Sequence, residues 1–180
     1  QTTLRMELEI VKEYIALQQM RYDFIIEMNI EDGSYLDQPT VRMLFQPLVE
    51  NAIRYGLGDD EKISIQVFED VARHFAVVTI SDSGKGLNQE EIDEINQPFD
   101  YDWGYWKNEN RGIGLRYVKA MLESFYDGQT SLFVNSKKGF GTKITILLPV
   151  REPEEKKEKD KEVTLEENKV GQTDERIDCR

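Results

Sequence analysis

The 180-residue chain has one cysteine, one histidine and no run of about eighteen apolar residues. Each shortage removes a class of answers. A single thiol, Cys179, excludes an intrachain disulfide framework and fits a reducing compartment; it reads as an inert tail thiol. His74 lies in a polar connection with no carboxylate or cysteine constellation around it in sequence, so it reads as a solvated hairpin residue. Without an apolar span or a signal-peptide pattern, the chain is expected to be soluble as it stands and to make no direct membrane contact, although it can be part of a membrane protein. Positive charge is also short: 23 Lys and Arg face 35 Asp and Glu, for a net charge of -12. That field argues against nucleic acid or an anionic membrane surface as partner, and any anionic ligand must be met by local basic groups.

What is present is enough for one folded domain. The 39% hydrophobic content can build a sizeable core. Leu4, Leu8, Val11, Ile15 and Leu17, set among charged and Gln residues, predict an amphipathic helix from residue 2 to about 20. Asp23 to Ile30 alternates as a strand and ends in the turn Glu31-Asp32-Gly33-Ser34. A helix is expected from Pro39 at a first-turn position, through Val41, Leu44, Phe45, Leu48 and Ala52, to a stop at Gly56. Lys62–Phe68 and Phe75–Ser81 read as paired strands, and Asn88 with Glu91 as a capping box for a short helix through Ile95. A further helix starts near Gly114 with Leu115, Val118, Leu122 and Phe125 on one stripe, and ends before Gly128. Thr130–Asn135 and Thr142–Leu148 form a hairpin through Lys137-Lys138-Gly139-Phe140-Gly141.

Two stretches break the pattern. Gln97 to Asn110 has no period and carries Phe99, Tyr101, Trp103, Tyr105 and Trp106, the mark of a binding lid or a disordered loop. Residues 151–180 hold eight Lys/Arg, eleven Asp/Glu and no aromatic residue, so they are expected to be a disordered tail. The fold class expected is α+β: a two-layer sandwich over residues 22–150, with helices on one face of a mixed sheet and residues 1–21 as a linker helix.

Three segments carry chemistry. In Glu50-Asn51-Ala52, Asn51 shares a helical face with Arg54 and Tyr55, which sets a neutral oxygen ligand beside a positive charge. Magnesium needs only one or two protein ligands, so one amide oxygen can serve; taken alone, Asn51 is better read as an asparagine bonding backbone. In Asp82-Ser83-Gly84-Lys85-Gly86, a strand delivers a carboxylate able to accept from an exocyclic amine, followed by glycines that permit close approach or positive φ; taken alone, this is also turn chemistry. In Asn110-Arg111-Gly112-Ile113-Gly114, a glycine-rich lead into a helix offers free N–H groups to phosphate.

Together, in this order and spacing, the three segments resemble the ATP-binding domain shared by DNA gyrase, heat-shock chaperones, histidine kinases and mismatch-repair ATPases, the Bergerat-type fold. The resemblance covers residues 1–150. Within it, Leu4 to Arg21 and Gln46-Pro47-Leu48-Val49-Glu50-Asn51-Ala52-Ile53 are similar to the linker helix and N box of sensor histidine kinases of the LytS/YesM type. The resemblance implies ATP and Mg²⁺ as cofactors, with Asp82 on the adenine amine, Thr142 on the adenine side and Asn51 on the metal. Arg54 and Arg111 would contact phosphates, and Gly84, Gly86, Gly112 and Gly114 would surround the nucleotide. Residues from about 97 to 111 would be the lid, and Lys85 would face solvent. It also implies a γ-phosphate passed to a histidine on a dimerisation domain outside this chain, a response regulator downstream, a homodimeric full-length protein, and a cytoplasmic placement below a membrane anchor. The alternative is a nucleotide-binding regulatory module that transfers nothing.

One position separates mechanisms within that resemblance. ATP-hydrolysing members place a glutamate one turn before the N-box asparagine, where it can activate a water. Here that position is Pro47, which has no basic atom to offer. Glu50 points about 100° away around the helix and is expected instead to orient Arg54 at i+4.

Overall fold

A computed structural model of the chain describes residues 2–57, 61–96 and 113–151. Residues 97–112, which hold the expected lid (about 97–111) with Arg111 and Gly112, and residues 152–180 of the expected tail lie outside the described residues. Five strands make one mixed sheet in the order β2-β4-β5-β7-β6: β2 (Ile25–Ile30), β4 (Lys62–Asp70), β5 (Phe75–Asp82), β7 (Thr142–Pro149) and β6 (Ser131–Ser136). Only β2 runs parallel to its neighbour, β4; the other pairs are antiparallel hairpins or, for β5 and β7, an antiparallel match of residues sixty apart. That last pairing sets Asp82 opposite Thr142.

The helices α1 (Leu4–Gln19), α2 (Gln46–Tyr55), α3 (Gln89–Asn96) and α4 (Ile113–Phe125) supply the second layer. Alternation explains why the sheet is covered: Ile63, Ile65 and Val67 of β4, Val78 and Ile80 of β5, and Ile144, Ile146 and Leu148 of β7 are all buried with Leu48, Val49, Val118 and Leu122 of the helices in one core. The architecture is the α+β sandwich expected. Among the described residues, no helix is long and apolar enough to cross a membrane.

Two expectations need correction. Pro39 does not open a helix. Pro39–Thr40 (β3) pairs with Thr2–Thr3 (β1) as a small antiparallel ribbon, and α2 starts only at Gln46. A helix begun at Pro39 would bury Pro47 in its interior, where the ring collides with the carbonyl four residues back; starting at Gln46 puts Pro47 in the first turn, where no N–H is missed. Met43, at φ 58, breaks any helix before that point. Val41, Leu44 and Phe45 are still buried, but on an irregular segment. The second correction is Leu17, which is 64% exposed and outside the core stripe of α1.

Candidate functional site

Between α2, the Asp82–Leu87 loop, α3 and the start of α4 lies a pocket bordered by Asn51, Tyr55, Asp82, Lys85, Gly86 and Thr142, with Leu48, Ala52, Ile80, Ile95, Leu115 and Ile144 as its apolar wall. An apolar wall with a few polar groups suits a flat, partly polar ligand. Of the three motif segments, the fold brings Asn51 and Ala52, Asp82 with Lys85 and Gly86, and Leu115 just past the third to this cavity; Gly84 and Gly114 do not border it.

Asp82 ends β5, and two backbone N–H groups, from Gly84 and Thr142, donate to its Oδ1 at 3.1 Å each. No described residue donates to Oδ2. One oxygen is therefore committed to the fold and the other is left for a ligand. Burial pushes the carboxyl pKa up, against the two N–H groups, which pull it down. Asn51, half-buried, lies two turns inside neither end but mid-helix on α2, and its amide has no hydrogen-bond partner among the described residues. Gly114 packs against it: a Cβ on Gly114 would stand 3.4 Å from Asn51 Nδ2 and 3.9 Å from Oδ1. The first turn of α4 is thereby held beside the Asn51 amide.

The glycines of the first box serve loop packing. Gly86 has φ +64, and a Cβ there would overlap the Lys137 carbonyl oxygen; Gly141, at φ +86, would overlap the Asp82 carbonyl in the same way. Gly84 stands against the backbone of Gly56, whose own Cβ would strike the Asp82 side chain. The Lys137–Gly141 turn thus grips the Asp82 loop, helped by Gly139 N–H donating to the Lys85 carbonyl at 2.7 Å. Ser136 finishes the joint. Its Oγ accepts from Leu87 N at 2.8 Å, donates to the Gly141 carbonyl at 2.8 Å, and lies 2.9 Å from Thr142 Oγ1. With the one Ser136 proton on Gly141, Thr142 supplies the proton between the hydroxyls and remains an acceptor.

Two basic residues stand differently from the sequence pattern. Arg54 does not border the pocket; it pairs with Glu50 at 3.2 Å on the exposed side of α2, the i+4 partnership expected of Glu50. Lys85, expected to face solvent, is exposed and also borders the pocket, with Nζ 5.4 Å from the Tyr55 ring centre. It is the one cation among the described lining residues, beside Asp82, Glu91 and Glu94.

Gly56 and Ser136 were not singled out as site residues from sequence, and Tyr55 and Gly141 entered only as neighbours of Asn51 and Thr142. Gly56 reads there as a helix stop and Gly141 as a hairpin glycine; nothing local marks Ser136. For a metal, the fit is a sparse one: among the described residues no cluster of three or more His, Cys, Asp or Glu exists, and the unpartnered Asn51 amide is the available oxygen. That donor set suits magnesium, which takes few protein ligands and completes its shell with phosphate and water.

Comparison with known proteins bears on family and fold. The family model described as "Histidine kinase-, DNA gyrase B-, and HSP90-like ATPase" matches residues 36–152. Over 148 residues the chain is 30% identical to the sensor protein kinase HptS of Staphylococcus aureus, in strain bovine RF122 / ET3-1 and in strain USA300, a match covering 82% of this chain and 28% of each relative. The chain therefore spans little more than a quarter of the length of those relatives. Among solved structures, the Acinetobacter baumannii histidine kinase AdeS superposes with a TM-score of 0.60 at 18% identity, covering 83% of this chain and 66% of that one. The histidine kinase domain of the Erythrobacter litoralis EL346 blue-light activated histidine kinase gives 0.57 at 18% identity, covering 82% and 61%. At such identities the likeness is one of fold.

Proposed function

Since the chain belongs to the histidine kinase-, DNA gyrase B- and HSP90-like ATPase family, we propose that it is the ATP-binding catalytic part of a two-component sensor histidine kinase, of the LytS/YesM type, which transfers the γ-phosphate to a histidine on a separate dimerisation domain. The observation that carries the reading is the division of polar atoms in the pocket: Asp82 Oδ1 is held by two N–H groups, while among the described residues neither Oδ2 nor the Asn51 amide has a hydrogen-bond partner.

Asp82 Oδ2 would accept from the adenine amine while the apolar wall covers the ring, and Thr142 Oγ1 would stand on the same side. Asn51 would hold Mg²⁺, which when bound neutralises charge on the phosphates and fixes their orientation. Gly84, Gly86 and Gly114 would keep backbone close around the nucleotide, joined by Gly112 and Arg111 of the second glycine box. Arg54 would have to release Glu50 to reach a phosphate; the exposed pair is weak enough for a polyanion to compete. Pro47 cannot take a proton, which supports transfer to an acceptor brought from another element over activation of water. The parent protein would be a homodimer with a cytoplasmic catalytic part, a membrane anchor and a downstream response regulator.

The direct test supplies the acceptor in trans: the dimerisation domain of the parent protein, labelled ATP and Mg²⁺. Label on a histidine of the added domain is the expected result. Tight ATP binding with no histidine labelled would overturn the transfer step.

A further inference from the structure

A polyphosphate entering this pocket meets mostly its own sign of charge. The whole chain carries -12, and the described lining residues set the carboxyl groups of Asp82, Glu91 and Glu94 against one cation, Lys85. The main chain of that lysine is fixed: Gly139 N–H donates to the Lys85 carbonyl at 2.7 Å, and Gly86 after it is pressed at φ +64 against the Lys137 carbonyl. Its side chain is free to move. It is exposed, no carboxylate among the described residues pairs with it, and Nζ rests 5.4 Å from the centre of the Tyr55 ring. Arg54 also stands by that ring, at 5.9 Å, but Glu50 holds it. Lys85 can therefore meet an anion in the pocket without giving up an ion pair.

Position along the pocket decides which part of a ligand it meets. Gly56, next to Tyr55, packs against the Asp82 side chain at the end assigned to the base, and Gly114 stands beside Asn51 at the end assigned to the metal. Tyr55 lies one helical turn beyond Asn51 on the same face of α2. An ammonium beside Tyr55, on a flexible four-carbon stem, covers the mouth between those two ends, where the sugar and first phosphate of a nucleotide would pass. With three donors and no acceptor it can bond a phosphate oxygen but not the adenine amine. We infer that Lys85 is an affinity-determining contact for the phosphate nearest the sugar, with Tyr55 holding its ammonium over the pocket mouth until a nucleotide enters. The inference rests on the nucleotide reading of the pocket and adds to it a residue that reading does not use. That phosphate is common to ADP and ATP, so Lys85 sets how tightly either is held and not which of the two is preferred.

The test is calorimetric titration of the whole chain with adenosine, ADP and ATP in the presence of Mg²⁺, for the native protein, Lys85→Met, Lys85→Gln, Lys85→Arg and Lys12→Met. The last removes an equal charge from the exposed side of α1, away from the pocket lining. Lys85→Met and Lys85→Gln should bind adenosine as the native chain does and bind ADP and ATP about tenfold more weakly, by the same factor for both, the low end for an exposed charged hydrogen bond. Lys85→Arg should restore both affinities, and Lys12→Met should change none of the three. Unchanged ADP and ATP affinity in Lys85→Met, a loss that extends to adenosine, a loss confined to ATP, or an equal loss in Lys12→Met would each overturn the assignment. A native chain that binds none of the three ligands would instead sink the nucleotide reading, and the role of Lys85 with it.

Discussion

At the Asp82 end of the pocket, side chain, turn and strand are bound to one another before any ligand arrives; at the Asn51 end, the amide has no hydrogen-bond partner among the described residues. Asp82 holds Gly84 and Thr142, Ser136 ties Leu87 to Gly141, and Gly86 and Gly141 let two loops meet backbone to backbone. Asn51 has only the bare Gly114 beside it, and Arg54 is turned outward to Glu50. The difference would suit the two tasks of the proposed nucleotide site. A base is recognised by fixed hydrogen-bond geometry, and preorganisation lowers the cost of ordering that recognition. A metal and its phosphates arrive and leave with each turnover, and they need open positions.

The comparison breaks most severely at the rigid end. Gly141→Val should destabilise the domain by more than about 3 kcal/mol, because positive-φ strain adds to overlap with the Asp82 carbonyl, and denaturant unfolding reads this directly. Asp82→Asn should be milder and more selective. Its Oδ1 still accepts from Gly84 and Thr142, so the fold survives, but an NH₂ replaces the free oxygen and faces the adenine amine donor to donor. Nucleotide affinity should fall by about 1.5–3 kcal/mol, roughly 10- to 150-fold; calorimetric titration giving unchanged affinity would remove Asp82 from the adenine.

The same carboxylate sets the pH response. Its folded pKa lies above the ordinary aspartate value, so between those two values the folded chain keeps a proton that the unfolded chain has lost. Asp82 therefore opposes folding above the raised value, and that penalty is relieved as pH falls through it toward the ordinary value. Nucleotide binding moves the other way, weakening as pH drops through the raised value. Binding measured against pH in the native chain and in Asp82→Asn should show the loss only in the native chain.

At the open end, Asn51→Ala should leave stability within about 0.5 kcal/mol, since no hydrogen bond is lost. It should abolish the Mg²⁺ dependence of nucleotide binding; the same dependence in the variant would take the metal away from Asn51. Least of all, Arg54→Ala should leave the melting temperature nearly unmoved, because it breaks an exposed pair with Glu50 and a surface contact with Tyr55. A reduced salt dependence of ATP binding in that variant would place Arg54 on a phosphate, and an unchanged one would leave it on the surface.

Legibility in the sequence followed the range of the interactions. Alternation in β4, β5 and β7 and the stripes of α1 and α4 reflect neighbours within a few residues, and they could be read directly. So could the Asn88–Glu91 capping box, which closes with Asn88 N–H on Glu91 at 2.8 Å and Glu91 N–H on Asn88 Oδ1 at 2.9 Å. Pro39 misled because the same proline suits a first helical turn or a short ribbon, and the choice depended on Thr2 and Thr3, far away in sequence. Ser136 left no local sign at all, since its partners Leu87 and Thr142 come from different elements.

By itself, then, the sequence determined the element types, the two-layer class and three candidate ligand-binding segments, because periodicity and residue chemistry act locally. Tertiary structure alone decided which atoms remain free for a ligand. Asp82 and Thr142 are sixty residues apart, and only the pairing of β5 with β7 makes one carboxylate oxygen structural and leaves the other open. Only packing, likewise, buried Leu4, Leu8, Val11 and Ile15 of α1 and left Met6, Ile10 and Leu17 of the same helix exposed.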